Sequence, residues 1–418
     1  IGLVHQHFML IDAFSALDNI MLGNEPTLSF GRLDRDKARS LAQKTMDESG
    51  LRVNLDAQVS QLGVGERQTL EILRVLVRGA RFVLLDEPTA VLTPGQSLHL
   101  FQTLKGLRDQ GCAVVVVTHR VREVLDHCDA LTVMRRGKVV ATHRVRDIDA
   151  EVITREIMGR EPPPPLQRPQ PRTEERAALQ VDNLTLRGTR AGRAVLDNLN
   201  FRINEGEIVG LAGVEGNGQQ ELVEVLAGLR KQDDGRLRLG EKDITSITTA
   251  ERRHSGLAVV HADRHREGLL LDTCVGDNLM LGDLGEEDET ATVARRLSKF
   301  GVTPADPCLH ARALSGGNQQ KIVVGRALDR RLKAAVLAQP TRGVDLGAAR
   351  TIHEAICEAA KTGAAVLVSS ADLAELRAIC HRIMVIAQGR IVATLPPEAS
   401  EEEFGRAMLG TGENEAEA

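Results

Sequence analysis

The chain has 418 residues, with 53 lysines and arginines against 58 aspartates and glutamates and a formal net charge of -5. This length is too great for one hydrophobic core and predicts two domains, while the charge balance excludes the basic surface of a nucleic-acid-binding protein. The six cysteines are scattered without Cys-x-x-Cys or metal-ligand spacing, and no apolar run approaches the ~18 residues that a membrane span requires.

Two apolar, β-branched runs end in polar residues, as buried parallel strands do. They cover residues 81–85 and 113–118 and predict a doubly wound α/β fold. Residues 131–140 predict a hairpin around Arg136 and Gly137.

Prolines and charge mark the domain boundaries. Residues 161–176 hold Glu-Pro-Pro-Pro-Pro, mixed charge and two further prolines, which can bury little and predict an extended linker over 161–178. The end of the chain, 411–418, is acidic and is expected to be disordered. The two domains are therefore predicted at 1–160 and 179–410.

The two domains are copies of one unit. Residues 314–321 spell Leu-Ser-Gly-Gly-Asn-Gln-Gln-Lys, and 252 positions earlier residues 62–68 spell Leu-Gly-Val-Gly-Glu-Arg-Gln. The same offset relates Pro88 to Pro340, Gly111 to Gly363, Cys128 to Cys380 and Gly137 to Gly389. A repeat at a fixed offset indicates an internal duplication.

The Leu-Ser-Gly-Gly-Asn-Gln-Gln run resembles the signature motif of ATP-binding cassette (ABC) proteins. The tandem arrangement resembles the fused ATPase subunit of bacterial importers for simple sugars and nucleosides, over nearly the whole chain. The resemblance implies two tandem nucleotide-binding domains of the P-loop NTPase fold, with ATP and Mg²⁺ as ligands. In this family each nucleotide lies between the phosphate loop of one unit and the signature of the other.

Residues 82–89 of the first unit, Phe-Val-Leu-Leu-Asp-Glu-Pro-Thr, place two carboxylates at the end of a predicted strand, where ligands of open α/β sheets bind. The resemblance makes Asp86 a Mg²⁺ ligand through water and Glu87 the base that orients the attacking water. It makes His119 the switch histidine that contacts the γ-phosphate. Gln6 resembles the Q-loop glutamine, which touches the metal site and marks the loop that meets the membrane subunit. Without the surrounding motifs, the same residues would predict only an acidic turn and a structural histidine.

The second unit supplies the opposite wall of this site. Ser315, Gly316 and Gly317 are expected to begin a helix, where free backbone N–H groups and the helix dipole favour a phosphate. The resemblance adds Asn318 and Asp345 to this wall. Alone, Ser-Gly-Gly would predict no more than an ordinary N-cap.

The phosphate loop of the second unit is altered. After its last glycine a working loop carries a lysine and then a serine or threonine, but here Gln219 and Gln220 follow. Losing a charge-assisted contact costs about 1.5–3 kcal/mol, so nucleotide binding is expected to be weak and metal placement lost. The degenerate site comprises Gly213, Glu215, Gly216, Asn217, Gly218, Gln219 and Gln220, with Gly63 and Gly65 of the first unit's altered signature.

The second unit has also lost other residues of the ATP site, at positions that the repeat pairs with those of the first unit. Ala338 and Gln339 stand where the first unit has its two carboxylates, Ala371 stands at the position of the switch histidine, and Ala262 at that of the Q-loop glutamine. Random decay would scatter losses over both composite sites, whereas these fall in one. The sequence therefore predicts one competent and one degenerate ATP site.

The chain begins at Ile1. From Val181 to Ala262, the position paired with Gln6, the second unit has 82 residues, whereas Gln6 has five residues before it. About 76 residues of the first unit, with its phosphate loop, are therefore expected to be missing. We expect the complete protein to hydrolyse ATP and the chain as given to be inactive.

The resemblance also implies partners and a location. These are integral membrane permease subunits, as two copies or a heterodimer, contacted near the Q-loop regions, and a separate solute-binding lipoprotein, at the cytoplasmic face of the bacterial cell membrane. Val-His-Gln-His-Phe-Met-Leu at 4–10 and Asp-Asn-Ile-Met-Leu-Gly at 18–23 resemble the nucleoside branch served by basic-membrane-protein-type lipoproteins. Nucleosides are therefore favoured over ribose-like or galactose-like sugars.

The sequence also bears on two other classes of function. A tandem-cassette translation factor would keep two working sites and a long charged helical linker, and this sequence has neither. A non-enzymatic nucleotide-binding scaffold is the alternative function for the chain as given. An intact Gly-x-x-x-x-Gly-Lys-Ser or -Thr about 40 to 50 residues before Gln6 would favour the enzyme.

Overall fold

The computed structural model describes residues 1–5, 8–89, 92, 94–118, 120–135, 137–159, 166, 168–169, 176–188, 194–214, 216–283, 285 and 288–408. The chain divides into two compact units, residues 1–162 and 163–418. Within the described ranges, no helix combines the length and apolar character needed to cross a membrane.

The first unit is an α/β unit built on parallel strands. Its strands are β1 (Gly2–Val4), β2 (Phe82–Asp86), β3 (Ala113–Val117), β4 (Ala130–Arg135) and β5 (Lys138–Arg144), and its helices are α1 (Ala16–Met21), α2 (Arg35–Ser49), α3 (Val64–Val77), α4 (Pro94–Asp109), α5 (Val121–His127) and α6 (Ala150–Met158). Strands β1, β2 and β3 form a parallel sheet in that order, and β4 pairs with β5 as an antiparallel hairpin. The predicted hairpin is thus confirmed, although Arg136 lies outside the described residues.

The second unit contains two sheets. Its strands are β6 (Ala177–Arg187), β7 (Ala194–Asn204), β8 (Ile208–Ala212), β9 (Asp234–Leu239), β10 (Lys242–Asp243), β11 (Leu257–Val260), β12 (Ala334–Ala338), β13 (Ala365–Ser369), β14 (Arg382–Ala387) and β15 (Arg390–Leu395). Its helices are α7 (Gln219–Ala227), α8 (Thr249–His254), α9 (Val275–Met280), α10 (Glu289–Lys299), α11 (Gly316–Leu328), α12 (Leu346–Lys361), α13 (Leu373–Ile379) and α14 (Glu401–Met408). The larger sheet has the order β11-β12-β13-β8-β14-β15, parallel except for β15, and the smaller is antiparallel, β10-β9-β6-β7.

The larger sheet is covered on both faces. Every residue of β8, β12 and β13 is buried. Alternate residues of β12 enter two separate hydrophobic clusters, because successive side chains of a strand point to opposite faces: Leu337 joins one cluster and Val336 the other. The second cluster also contains residues of the antiparallel sheet and of α7.

The first unit repeats part of this sheet. Its strands β1, β2 and β3 have the parallel order of β11, β12 and β13, but in the second unit β8 joins β13 to the final hairpin. One face of the first unit's sheet packs in a core through Val83 and Leu85, while Phe82, Val115 and Val117 on the other face are 39%, 41% and 48% exposed. The prediction of a buried strand at 113–118 is therefore wrong for β3, because no described element covers this face.

The structure leaves the linker and tail predictions largely untested. Most of residues 161–178 and all of 411–418 lie outside the described ranges. Strand β6 begins at Ala177, within the range predicted as linker.

Candidate functional site

A strained turn follows the carboxylate-bearing strand of the first unit. Asp86 ends β2, and Glu87 after it has a φ of 45°, in the left-handed region that costs a non-glycine residue about 1–3 kcal/mol. The Glu87 N–H donates to the carbonyl oxygen of Val117 at 2.8 Å, which ties the turn to the end of β3. The predicted metal ligand and the predicted base thus lie at the carboxyl end of the parallel sheet.

The second unit keeps this turn without its carboxylates. Gln339 has a φ of 50°, and its N–H donates to the Ser369 carbonyl at 2.7 Å. Its side-chain oxygen accepts from the N–H of Ala371 at 3.3 Å. Ala338, which is buried, stands at the aspartate position. This strand end therefore offers neither a carboxylate ligand nor a base.

Glu123 links the segments on both sides of position 119. Its carboxylate accepts from Thr89 Oγ1 at 2.9 Å, from Thr118 Oγ1 at 3.3 Å and from Arg120 Nη1 at 3.1 Å. Thr118 and Arg120 flank His119. Glu123 therefore ties the turn after β2 to the chain that carries the predicted switch histidine. His119 and Gln6 themselves lie outside the described residues, and their roles stay predictions.

Glu123 is not among the site residues predicted from the sequence, although a signal for it exists. In the second unit Glu375, 252 positions later, accepts from Thr341 Oγ1 at 2.7 Å, and Thr341 is itself 252 positions after Thr89. Extending the repeat offset to every polar residue would have identified both members of each pair.

The altered phosphate loop connects β8 to α7. Gly216 and Gly218 have φ values of 88° and 107°, which only glycine adopts without strain. Gln219 Nε2 donates to the Val214 carbonyl at 3.1 Å, and Gln220 Nε2 donates to Glu224 Oε1 at 2.9 Å. The two side chains that replace the phosphate and metal ligands are thus engaged within the protein.

Further contacts hold this loop. Asn217 accepts the N–H of Gln388 at its side-chain oxygen, at 2.9 Å. A Cβ on Gly213 would lie 2.5 Å from the carbonyl oxygen of Ile386, so this position requires glycine. Glu215 lies outside the described residues.

The two units differ in how well they fit Mg²⁺, which prefers carboxylate and other oxygen ligands. The Asp86 carboxylate of the first unit suits this ion. At the corresponding places the second unit has Ala338, an amide at Gln339 and an amide at Gln220 where a hydroxyl would bind the metal. Its residues do not fit Mg²⁺.

The signature residues of the second unit come together at the start of α11. Ser315 is the N-cap, and its Oγ accepts from Asn318 N at 3.5 Å and Nδ2 at 3.0 Å. A Cβ on Gly317 would lie 3.1 Å from that of Ala348, so the glycine lets α11 approach α12 closely. Asp345 caps α12 by accepting from Ala348 N at 2.8 Å. The free N–H groups of this first turn form a suitable anion site.

The corresponding place in the first unit is less suited to an anion. Gly63 is the N-cap of α3 and has no hydroxyl to offer. Its N–H donates to Glu66 Oε2 at 2.9 Å, so a carboxylate already lies at this helix N-terminus. A Cβ on Gly65 would lie 2.9 Å from Gln96 Nε2. A phosphate approaching here would meet negative charge.

A parallel sheet whose central strand leads through a glycine-rich loop into a helix is the architecture of P-loop nucleotide-binding proteins. The family model for the ABC transporter matches residues 1–90 and 196–342, one segment in each unit. The chain belongs to this ABC transporter family, and the predicted fold of two tandem ABC domains is confirmed. Proteins of this family bind ATP.

The chain is similar over its length to ATP-binding subunits of importers. It is 40% identical to the guanosine import ATP-binding protein NupO of Bacillus subtilis (strain 168), over 100% of this chain and 83% of that protein. It is 36% identical to the nucleoside import ATP-binding protein NupA of Lactococcus lactis subsp. cremoris (strain MG1363), over 99% of this chain and 84% of that protein. It is 31% identical to the ribose import ATP-binding protein RbsA of Bacillus subtilis (strain 168), over 94% of this chain and 80% of that protein.

A solved structure shows the same fold. An ATP-binding cassette of an ABC transporter, 23% identical, matches 55% of this chain and 98% of its own length with a TM-score of 0.50.

Proposed function

We propose that this protein is the ATP-hydrolysing subunit of an importer, with one competent and one degenerate ATP site, and that the imported solute is a nucleoside. The observation that carries the proposal is the contrast between Glu87 and Gln339. The two residues lie in equivalent left-handed turns, each at the end of a parallel strand. Glu87 carries a carboxylate where Gln339 carries an amide.

By resemblance to the family, the competent site takes residues from both units. Asp86 and Gln6 would hold Mg²⁺, which when bound neutralises charge on the nucleotide phosphates. Glu87 orients the attacking water, and His119 contacts the γ-phosphate. The wall from the second unit comprises Ser315, Gly316, Gly317, Asn318 and Asp345. Fixed donors aimed at developing charge stabilise the transition state of phosphoryl transfer.

The degenerate site pairs the loop at 213–220 with the signature that contains Gly63 and Gly65. Its glycines preserve a backbone cradle for phosphates, but Gln219 and Gln220 supply no charge and no metal ligand. We propose that nucleotide binds here without hydrolysis and holds the cassettes together between cycles.

The solute assignment rests on similarity. The relative named for guanosine import is 40% identical to this chain and the one named for nucleoside import 36%, against 31% for the ribose relative. The alternative is a simple-sugar importer of the ribose or galactose kind. In either case the partners are membrane permease subunits contacted near the Q-loop regions and a separate solute-binding lipoprotein, and the protein lies on the cytoplasmic face of the cell membrane.

Nucleotide stoichiometry tests the asymmetry. Equilibrium binding on the complete protein should find two nucleotides per chain at saturation, and a single turnover should convert one to ADP. Hydrolysis of two nucleotides per chain in one closure would overturn the asymmetry. If only one nucleotide is bound and that one is hydrolysed, the second loop is purely structural.

Transport tests the solute. Cells deleted for the gene should lose uptake of labelled guanosine and keep uptake of labelled ribose, and restoring the gene should restore guanosine uptake. Loss of ribose uptake alone would favour the sugar importer.

A further inference from the structure

A π-helical turn follows β11 in the second unit. It spans residues 264–268, and Asp263 caps it by accepting from His265 N at 2.9 Å and from Arg266 N at 3.1 Å. Such turns are rare and often occur at functional sites. Here the turn begins with Arg264.

Arg264 reaches from this turn to the signature helix. Its Nη1 donates to the Arg342 carbonyl at 2.9 Å, and its Nε donates to Gln319 Oε1 at 3.4 Å. A Cβ on Gly316 would lie 2.7 Å from Arg264 Nη2, so the guanidinium lies directly against the first residue of α11. Nη2 donates to no acceptor among the described residues.

Gln319 fixes this arrangement from within the helix. It is buried, and its Nε2 donates to the Ala311 carbonyl at 3.0 Å. Its Oε1 lies 2.8 Å from His265 Nε2 and also accepts from Arg264. The amide therefore has a fixed orientation, and through it the guanidinium has a defined position.

The location is electrostatically unfavourable for a cation. The N-terminus of an α-helix carries partial positive charge and stabilises anions rather than cations. Burial lowers the pKa of Arg264, the adjacent Asp263 carboxylate raises it, and nearby Arg342 lowers it. Because a guanidinium stays protonated in proteins, this turn holds positive charge beside an end of α11 that is already positive. The Asp263 carboxylate offsets part of this positive charge, and an anion seated against the start of α11 would relieve the rest.

The first unit has no such residue. Gln6 pairs with Ala262 in the repeat, so Arg264 corresponds to Phe8. A phenylalanine cannot donate a hydrogen bond to a phosphate. The arginine is thus present in the unit with the intact signature and replaced in the unit with the altered one.

We propose that Arg264 is a catalytic residue of the competent ATP site, whose guanidinium contacts a γ-phosphate oxygen when the nucleotide lies against Ser315 and Gly316. This inference rests on the proposed function. In this role Arg264 stabilises charge that develops on the phosphate, and Gln319 positions it.

The test compares Arg264→Ala, Arg264→Lys and the matched control Arg266→Ala in the complete protein with its permease. Arg266 lies in the same π-helical turn and is exposed. Loss of a hydrogen bond to a charged group should lower the kcat of Arg264→Ala about 10- to 100-fold, with a smaller change in the KM for ATP. Arg264→Lys should fall between, and Arg266→Ala should match wild type.

Chemical rescue separates contact with the nucleotide from a structural role. Added guanidinium should raise the kcat of Arg264→Ala and leave Arg266→Ala unchanged. Arg264→Ala activity equal to that of the control would overturn the inference. Reduced activity together with a lower melting temperature than wild type and no rescue by guanidinium would also overturn it. Wild-type protein without ATPase activity would instead refute the proposed function on which it rests.

Discussion

Glu87 and Gln339 occupy the left-handed region although neither is a glycine. Each pays about 1–3 kcal/mol of backbone strain, and each N–H donates across to the neighbouring strand, to Val117 and Ser369. The strain persists in the second unit where the carboxylate is gone. The turn therefore has a structural role in both units and a proposed chemical role in one.

This contrast defines the first prediction. Glu87→Gln in the complete protein should lower ATP turnover about 10²–10⁴-fold, the usual cost of removing a positioned base, while ATP binding is retained. Gln339→Ala, the matched change in the second unit, should leave turnover nearly unchanged. Steady-state ATPase rates and equilibrium nucleotide binding measure both. Turnover of Glu87→Gln within about threefold of wild type would refute its assignment as the base.

The Glu123 contacts lead to a second prediction. Glu123→Ala removes the acceptor shared by Thr89, Thr118 and Arg120, which should loosen the segment carrying His119 and lower kcat about tenfold. The control is Glu375→Ala, which removes the corresponding contact with Thr341, next to the degenerate strand end, and a further contact with His353. It should lower the melting temperature with little effect on kcat. Equal effects of the two variants on kcat would contradict a positioning role for Glu123.

Among the elements, α10 and α11 are joined by a buried ionic network. Asp329, at the C-cap of α11, accepts from Arg296 Nε at 3.1 Å, from Lys299 Nζ at 2.9 Å and from Arg295. Arg296 is 2% exposed and also donates to Asp283 at 2.6 Å. Burial alone would raise the pKa of Asp329, but the hydrogen bonds from Lys299 and Arg296 hold it below its usual value. The carboxylate therefore stays charged in the folded protein.

The third prediction separates the buried arginine from its exposed neighbour. Arg296→Ala removes the buried cation that Asp283 and Asp329 share, although each carboxylate keeps other arginine or lysine partners. The lost charge-assisted hydrogen bonds should destabilise the second unit by about 1.5–3 kcal/mol. Arg295→Ala removes a half-exposed partner of Asp329 and should cost no more than about 1 kcal/mol. Chemical denaturation of the two variants gives both values. A loss of less than about 1 kcal/mol in Arg296→Ala would show that the network adds little.

Elements whose identity depends on neighbouring residues were predictable, and contacts between distant segments were not. The apolar run of β2, the glycine-rich loop and the signature are each contiguous, so spacing and composition locate them. Arg264 meets Gln319 across 55 positions, and Thr89 meets Glu123 across 34. Helical and strand periodicity carry no information over such distances, and only the 252-residue repeat singles out the second pair. The exposure of β3 was missed for a related reason: burial depends on what covers a strand as well as on its own residues.

At the scale of the molecule, the two units differ in how their sheets are enclosed. Strand β13 lies between β12 and β8, whereas β3 pairs with β2 alone among the described strands. Val115 and Val117 are 41% and 48% exposed, and their counterparts Leu367 and Ser369 are 0% and 5% exposed. The parallel strands of the first unit therefore gain less from burial than those of the second.

The fourth prediction follows from this difference. Local opening free energies vary within a protein with the burial of each segment. Val115 and Val117 leave about half of their surface exposed, so burial of the remainder would contribute about 1.5 kcal/mol, equivalent to about tenfold in an opening equilibrium. In hydrogen–deuterium exchange of the 418-residue chain, amides of residues 113–117 should therefore exchange at least about tenfold faster than those of 365–369. Strand β2, with Val83 and Leu85 fully buried, provides an internal control and should fall between them. Equal protection of the two segments would mean that the exposed face of β3 is covered in solution.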